Sequence, residues 1–161
     1  PEGLGLMSTF SVAGRLADVH ARRVFPAVVE VADGRVAAVR EVSEAPDRFL
    51  VPGFVDAHVH VESSMMVPSE FARFAVVHGT VGTVSDPHEI ANVLGADGVR
   101  LMVENGRRVP FKFHFGAPAC VPATAFETAG AALDAAAVAD LFDGLGLKYL
   151  AEVMNFPGVL H

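Results

Sequence analysis

Two histidines stand one residue apart in the run Pro52-Gly53-Phe54-Val55-Asp56-Ala57-His58-Val59-His60-Val61-Glu62-Ser63-Ser64. The stretch leading to them is apolar and β-rich. Alternate side chains of a strand share a face, so His58 and His60 point the same way. Two imidazoles about 6–7 Å apart along a strand can grip one divalent ion through metal–nitrogen bonds of ~2.0–2.1 Å. A pair of strand histidines with no ligand is the plain alternative. Asp56 at the same parity and the Pro52-Gly53 pair ahead of the strand favour metal.

Glu152 is the second metal-ligand candidate. It falls late in Leu147-Lys148-Tyr149-Leu150-Ala151-Glu152-Val153, and an acid within an apolar strand is costly to bury unless paired or metal-bound. A carboxylate bridging two cations resolves that cost, and so does a structural ion pair. Lys148 shares its parity but lies toward the start of the strand, the wrong end for the site. In Asp86-Pro87-His88-Glu89, an Asp cap with Pro first and Glu third in the helix fits a capping box and accounts for three of the four residues. His88 is left over, at the C-terminal end of a strand, as a further metal ligand, and Glu89 is a catalytic candidate.

Glu62 keeps the parity of the two histidines and is the other catalytic candidate, with a solvated loop acid as the alternative. A carboxylate there repels an anionic substrate and accepts hydrogen bonds from ring N–H groups, which favours a neutral base. Ser63 and Ser64, next along, are assigned to substrate binding. Cys120, in Pro118-Ala119-Cys120-Val121-Pro122-Ala123-Thr124, reads either as a buried inert thiol or as a substrate contact lining the pocket. His20, His78 and His114 are assigned nothing, and Phe111, Phe113 and Phe115 alternate as one core face of a strand.

The elements that must position these groups change character near Pro52. Residues 1–51 read as one sheet of a small β-domain, with strands over Phe10–Ala13, Ala27–Val31 and Arg35–Val42. Asp33-Gly34 is a hairpin signal, and Ser43–Asp47 is an exposed loop. From residue 52 to 161 the rhythm is strand, loop, helix. Strands are expected over Phe54–Val59, Thr80–Ser85, Phe111–Phe115 and Leu147–Val153. Helices are expected over Phe71–His78 (opened by Pro68-Ser69-Glu70 and stopped by Gly79), Gly98–Arg108 (capped by Asp97) and Asp134–Phe142. That alternation predicts parallel βα units and an α/β fold. A metal site at the C-terminal end of the first strand is the placement of a TIM-type β/α barrel. A closed barrel needs about 250 residues and roughly 110 follow Pro52, so the expectation is the first half of a barrel, strands one to four.

Apolar residues make up 52 % and charged residues 19 % of the 161 residues, which excludes a disordered chain. No apolar run approaches the ~18–20 residues of a membrane span, so no membrane partner is expected. The first ten residues lack the basic start and apolar core of a secretion signal. Pro1 is not a natural start, and Met7 is a candidate for one. The net charge of −7 is the wrong sign for a duplex-binding surface, so a nucleic-acid polymer is not expected as partner. The single cysteine excludes a disulfide framework and a cysteine-rich zinc cluster, and fits a reducing cytoplasm.

Pro52-Gly53-Phe54-Val55-Asp56-Ala57-His58-Val59-His60 resembles the signature of the amidohydrolase superfamily of metal-dependent barrel hydrolases. Three further runs extend the likeness: His60-Val61-Glu62-Ser63-Ser64, Asp86-Pro87-His88-Glu89-Ile90-Ala91-Asn92-Val93-Leu94-Gly95, and Cys120-Val121-Pro122-Ala123-Thr124. With Glu152-Val153-Met154-Asn155-Phe156-Pro157-Gly158-Val159 they are similar to one branch, the bacterial-type adenine deaminases. The first run is specific only to the superfamily, whereas the set in order is specific to the branch.

The resemblance implies a β-sandwich built from both chain ends beside the barrel, so residues 1–51 are part of a small β-sandwich domain. It implies hydrolysis of adenine to hypoxanthine and ammonia in purine salvage, at a dinuclear manganese or iron centre with zinc as a further candidate. His58 and His60 would hold one cation and Glu152 would bridge both. The chemistry implied is attack of hydroxide on C6 of the purine, then protonation of the leaving amine. Glu62 or Glu89 would help with ring nitrogens. The family's remaining ligands and its aspartate acid come from later strands and have no counterpart before His161. The chain is therefore expected to be an N-terminal part, inactive alone, of a cytoplasmic homo-oligomer. Two other readings compete with this one. A cyclic-amide hydrolase of the same superfamily often uses an arginine at the position of Glu62. A non-catalytic fragment that only associates with other chains fits the mean hydropathy of +0.41.

Overall fold

A computed structural model describes residues 9–161, so Met7 lies outside the described residues. The chain divides into two units, Pro1–Pro52 and Gly53–His161. In the first, β1 (Phe10–Asp18), β2 (Arg23–Ala32), β3 (Arg35–Glu41) and β4 (Phe49–Leu50) form one sheet in the order β3-β2-β1-β4. Neighbours β1/β2 and β2/β3 are antiparallel, and β4 runs parallel to β1. Asp33 and Gly34 take φ values of 53° and 70° between β2 and β3, as a two-residue hairpin turn requires. Strands β1 and β2 run longer than the apolar alternation suggests. Arg15, Asp18 and Arg23 keep their backbones in the ladder while their side chains stay at least partly in water. Gly14 admits the approach to β4: a Cβ there would lie 2.8 Å from the Arg48 carbonyl.

The second unit carries a parallel sheet in the order β5-β6-β7, from β5 (Phe54–Val59), β6 (Thr80–Ser85) and β7 (Lys112–Phe115). Its helices are α1 (Pro68–Val76), α2 (His88–Leu94), α3 (Ala96–Gly106), α4 (Ala135–Leu145) and α5 (Phe156–Leu160). The architecture is mixed α/β. Along α3, Val99, Met102, Val103 and Gly106 recur at helical spacing, and the three apolar side chains pack with Leu141 and Leu145 of α4, Phe115 of β7, and Val61 and Val121. Gly98 lets α3 approach α2, since a Cβ there would sit 2.7 Å from the Ile90 carbonyl. Asp134 caps α4 by accepting a hydrogen bond from the Ala137 N–H at 2.8 Å. Among the described residues no helix is long and apolar enough to cross a membrane.

Three expectations are corrected. Leu147–Val153 is not a strand. It meets β7's continuation in one bridge, Leu150 to Ala117, and Pro118 lacks the N–H that would carry the ladder on. Asp97 lies in the first turn of α3 rather than capping it, because Gly95, at φ 64°, ends α2 and starts α3 two residues sooner. Of the three alternating phenylalanines, Phe115 alone is fully buried. Its ring stacks on Phe113 at 5.5 Å, and Phe111 and Phe113 are half-buried.

Candidate metal centre

The residues with chemistry gather where β5, β6 and the Leu147–Val153 segment end. His58 lies in β5 and His60 one residue beyond it, and their rings face each other with Nε2 atoms 3.0 Å apart. His60 is held: its Nδ1 lies 2.9 Å from the Asp86 carbonyl. A carbonyl only accepts, so the Nδ1 carries the proton and the Nε2 lone pair is left facing His58. His58 is freer, with 57 % of its side chain exposed against 21 % for His60.

Glu152 reaches the same point from the far segment. Its Oε2 is 3.6 Å from His58 Nε2, and its Oε1 is 3.3 Å from His60 Nε2 and 3.7 Å from His88 Nδ1. The single bridge is enough to place it: Ala117 N–H donates to the Tyr149 carbonyl at 3.0 Å and Ala151 N–H to the Ala117 carbonyl at 2.8 Å. Lys148 is exposed and belongs to none of the ligand groups found among the described residues.

Asp86 corrects the capping-box reading. Helix α2 has Pro87 at its cap position and no side-chain cap hydrogen bond. The Asp86 carboxylate turns toward the site instead. Its Oδ2 accepts from the Glu152 N–H at 3.3 Å and lies 3.2 Å from His88 Nδ1. Only 5 % of that side chain is exposed. Burial pushes the Asp86 carboxyl above the usual range, partly offset by His88. Sequence reasoning missed this residue, although an acid at a strand exit level with His60 was a signal for it.

Glu62 is corrected in position. The strand ends at Val59 and the chain enters a short 3-10 turn, Val61–Ser64, so Glu62 no longer follows strand parity. It faces Glu89 and accepts from the Ile90 N–H at 3.4 Å. Burial, then the Glu89 carboxylate, pushes the Glu62 carboxyl up to about 7. Burial raises Glu89 as well, but hydrogen bonds from Ser63 and Glu62 and the charges of His60 and His88 outweigh it and hold Glu89 below its usual value. Of the two, Glu62 is the one that keeps its proton longer as pH rises. Burial lowers the His60 imidazole, while Glu89, the Asp86 carbonyl and Glu152 together carry it above 6.5.

Ser63, Ser64 and Cys120 have their polar groups engaged within the protein. Ser63 Oγ donates to Glu89 Oε1 at 2.6 Å and Ser64 Oγ to the Val61 carbonyl at 2.5 Å. Cys120 is buried, and its sulfur accepts from the Asn155 N–H at 3.4 Å. Two clefts flank the cluster. One of about 250 Å³ is lined by His58, Asp86, Tyr149 and Glu152 among others, and one of about 430 Å³ by His88, Glu89, Asn92, Glu127, Thr128 and Met154 among others.

The donor set fits a divalent cation. Three overlapping groups bring ligand atoms within 4.8 Å of one another: His58, His60 and Glu152; Asp86, His88 and Glu152; and His60, His88 and Glu89. Within this cluster, Glu62 Oε2, Asp86 Oδ1, His88 Nδ1 and Glu89 Oε2 are buried and make no hydrogen bond to the protein. A buried polar atom left so costs about 1–3 kcal/mol. Imidazole and carboxylate without thiolate suit manganese, iron or zinc.

Residues 49–157 match the amidohydrolase family. An adenine deaminase of Salinibacter ruber is 60 % identical over 153 residues, which are 95 % of this chain and 28 % of that protein. An adenine deaminase of a Sulfurovum species is 56 % identical, covering 89 % of this chain and 27 % of its own length. That of Methanothermobacter thermautotrophicus is 50 % identical, covering 92 % and 28 %. The chain thus spans little more than a quarter of the length of these curated relatives.

Proposed function

The chain belongs to the amidohydrolase family, and on that premise we propose that it is the N-terminal part of an enzyme that hydrolyses adenine to hypoxanthine and ammonia in purine salvage. The observation that carries the reading is the meeting of His58, His60 and Glu152 from two distant segments within 3.0–3.6 Å. In this reading residues 52–161 are the first half of a β/α barrel and residues 1–51 part of a β-sandwich. Val24 and Phe49, on one face of the sheet and each at least half exposed, would meet a second sheet. The protein is proposed to be cytoplasmic and a homo-oligomer.

His58, His60 and Glu152 would hold one cation of a dinuclear manganese or iron centre, and His88 the other with Glu152 between them. When bound, such cations make water acidic enough to serve as nucleophile near neutral pH. The protein's own groups do the rest. His60, fixed by the Asp86 carbonyl, presents its Nε2 lone pair without reorganising. Glu62, protonated up to about 7, can hand its proton to a ring nitrogen of the purine, because an acid works best with its pKa near the working pH. Glu89, ionised beside it, would accept an N–H of the base. The cleft of about 430 Å³ against Glu89 has room for a purine. Ser63 serves the substrate through Glu89. Ser64 and Cys120 serve it by holding the turn that carries Glu62 and the segment that follows Glu152.

In the complete protein, His58→Ala is expected to remove metal from one position and to cut hypoxanthine formation at least ~10³-fold, as loss of the activated nucleophile should. Metal content per chain and a hypoxanthine assay decide the matter. Turnover near the wild-type rate in that variant would remove the proposal.

A further inference from the structure

Tyr149 has no part in the reaction proposed above, yet its hydroxyl is the best-connected side-chain atom near the site. It lies 2.5 Å from the His114 carbonyl, 3.0 Å from the Ser85 carbonyl and 3.2 Å from the Ser85 N–H. A tyrosine hydroxyl has one proton to give and can accept in return. The Ser85 carbonyl already receives the Gly116 N–H at 2.9 Å. The shorter contact takes the proton, which goes to the His114 carbonyl, and the oxygen accepts from the Ser85 N–H. Burial pushes the Tyr149 pKa above 10, so the hydroxyl keeps its proton.

The ring crosses an opening made for it. A Cβ on Gly116 would lie 2.4 Å from the Tyr149 ring, so any side chain there would drive the ring out. The crossing also spans a gap in the backbone ladders. Strand β6 pairs with β5 and β7, while the segment carrying Glu152 pairs only with Ala117 beyond β7. No ladder joins the Glu152 segment to β6. Tyr149, three residues before Glu152, makes that join at Ser85, the residue before Asp86. Asp86 in turn supplies the carbonyl that fixes His60 and the carboxylate that takes the Glu152 N–H.

We propose that Tyr149 is a positioning residue. Its hydroxyl, seated over Gly116, ties the Val84–Ser85 peptide through the Ser85 N–H, one residue before Asp86, and so sets the His60 ring and Glu152 against each other. The proposal rests on the metal reading above only for its affinity readout. Groups that orient a ligand from behind are typically worth 10–100-fold in metal affinity.

The test uses Tyr149→Phe, Gly116→Ala and the double variant in the complete protein, with Val103→Ala as a destabilised control. Manganese affinity is measured by titration calorimetry, and the His60 ring tautomer in the metal-free protein by ¹⁵N resonance. Tyr149→Phe is expected to weaken manganese binding ~10–100-fold and to turn the fixed Nδ1–H form of His60 into a mixture. Gly116→Ala should do the same, and the double variant should lose no more than either alone. Val103→Ala should leave affinity and tautomer unchanged. Additive losses, an unaltered His60 tautomer in Tyr149→Phe, or equal losses in Val103→Ala would overturn the proposal. A wild-type protein that takes up no manganese refutes the metal reading instead, and the tautomer then decides the role of Tyr149 on its own.

Discussion

The Glu62–Glu89 pair makes stability depend on pH in a direction opposite to that of an ordinary salt-bridged acid. Glu62 rises from its usual 4.5 to about 7 because burial and the Glu89 carboxylate both disfavour its charge. Above pH 4.5 the unfolded chain gives up this proton while the folded protein keeps it. Stability therefore falls as pH climbs from about 4.5 to about 7 and levels off beyond. At ~1.4 kcal/mol per tenfold change in proton affinity, a rise from 4.5 to about 7 is worth at most about 3.5 kcal/mol. The Glu89 side chain is 40 % exposed, and solvent screening of the pair reduces the effect to about 1–2 kcal/mol.

Glu62→Gln isolates this contribution. Glutamine keeps an N–H donor for Glu89 and never ionises. The raised imidazole of His60 also costs stability as pH rises through its folded value, but Glu62 is not among its causes, so it is common to both proteins and cancels. The measurement is urea unfolding of the complete protein in a metal chelator, followed by circular dichroism from about pH 5 to about pH 8. Wild type should lose about 1–2 kcal/mol more than Glu62→Gln across that range. Parallel curves for the two proteins would show that Glu62 titrates normally.

Glu152→Gln should weaken manganese binding at least ~10-fold while leaving the thermal midpoint of the metal-free protein within a few degrees, since a metal site needs the deprotonated ligand and the fold does not. Equal affinity in calorimetry would remove Glu152 from the ligand set. Leu141→Ala, at a fully buried position between α3 and α4, should cost about 2–5 kcal/mol in urea unfolding through the cavity it leaves. A loss under ~1 kcal/mol would mean that α4 does not close this core.

Where one backbone period governs, the sequence is readable. His58 and His60 could be paired by parity because that stretch stays extended as far as its second imidazole, and β6 was bounded by the turn at Gly79 and the proline at position 87. Glu62 shows where parity stops. Its backbone has already entered a 3-10 turn that ends at Met65, with φ 60°, so counting by two past His60 misplaces it. Glu152 was legible as an acid among apolar residues, but the absence of a strand around it was not. Residue patterns describe side-chain faces, whereas a single bridge at Leu150 depends on where Pro118 falls in another segment. Asp86 was hidden by degeneracy: Asp-Pro-x-Glu serves a capped helix and a buried site equally well, and only the fold brings Glu152 to its carboxylate.

The two histidines of one motif are unequal, and the inequality comes from what lies behind each. His60 is mostly buried and has its outer nitrogen on a backbone carbonyl, so its rotamer and tautomer are fixed before any ligand arrives. For His58 the neighbouring carboxylate of Asp56 accepts its backbone N–H at 3.1 Å, and its ring stands more than half in water. Ordering such a ring on binding costs about 0.5–1.5 kcal/mol that His60 has already met during folding. His58 is thus the adjustable arm and His60 the fixed one. Removing His58 takes away a ligand without disturbing the buried network of Asp86, His88 and Glu62, so the activity loss expected of His58→Ala measures the metal site rather than the fold.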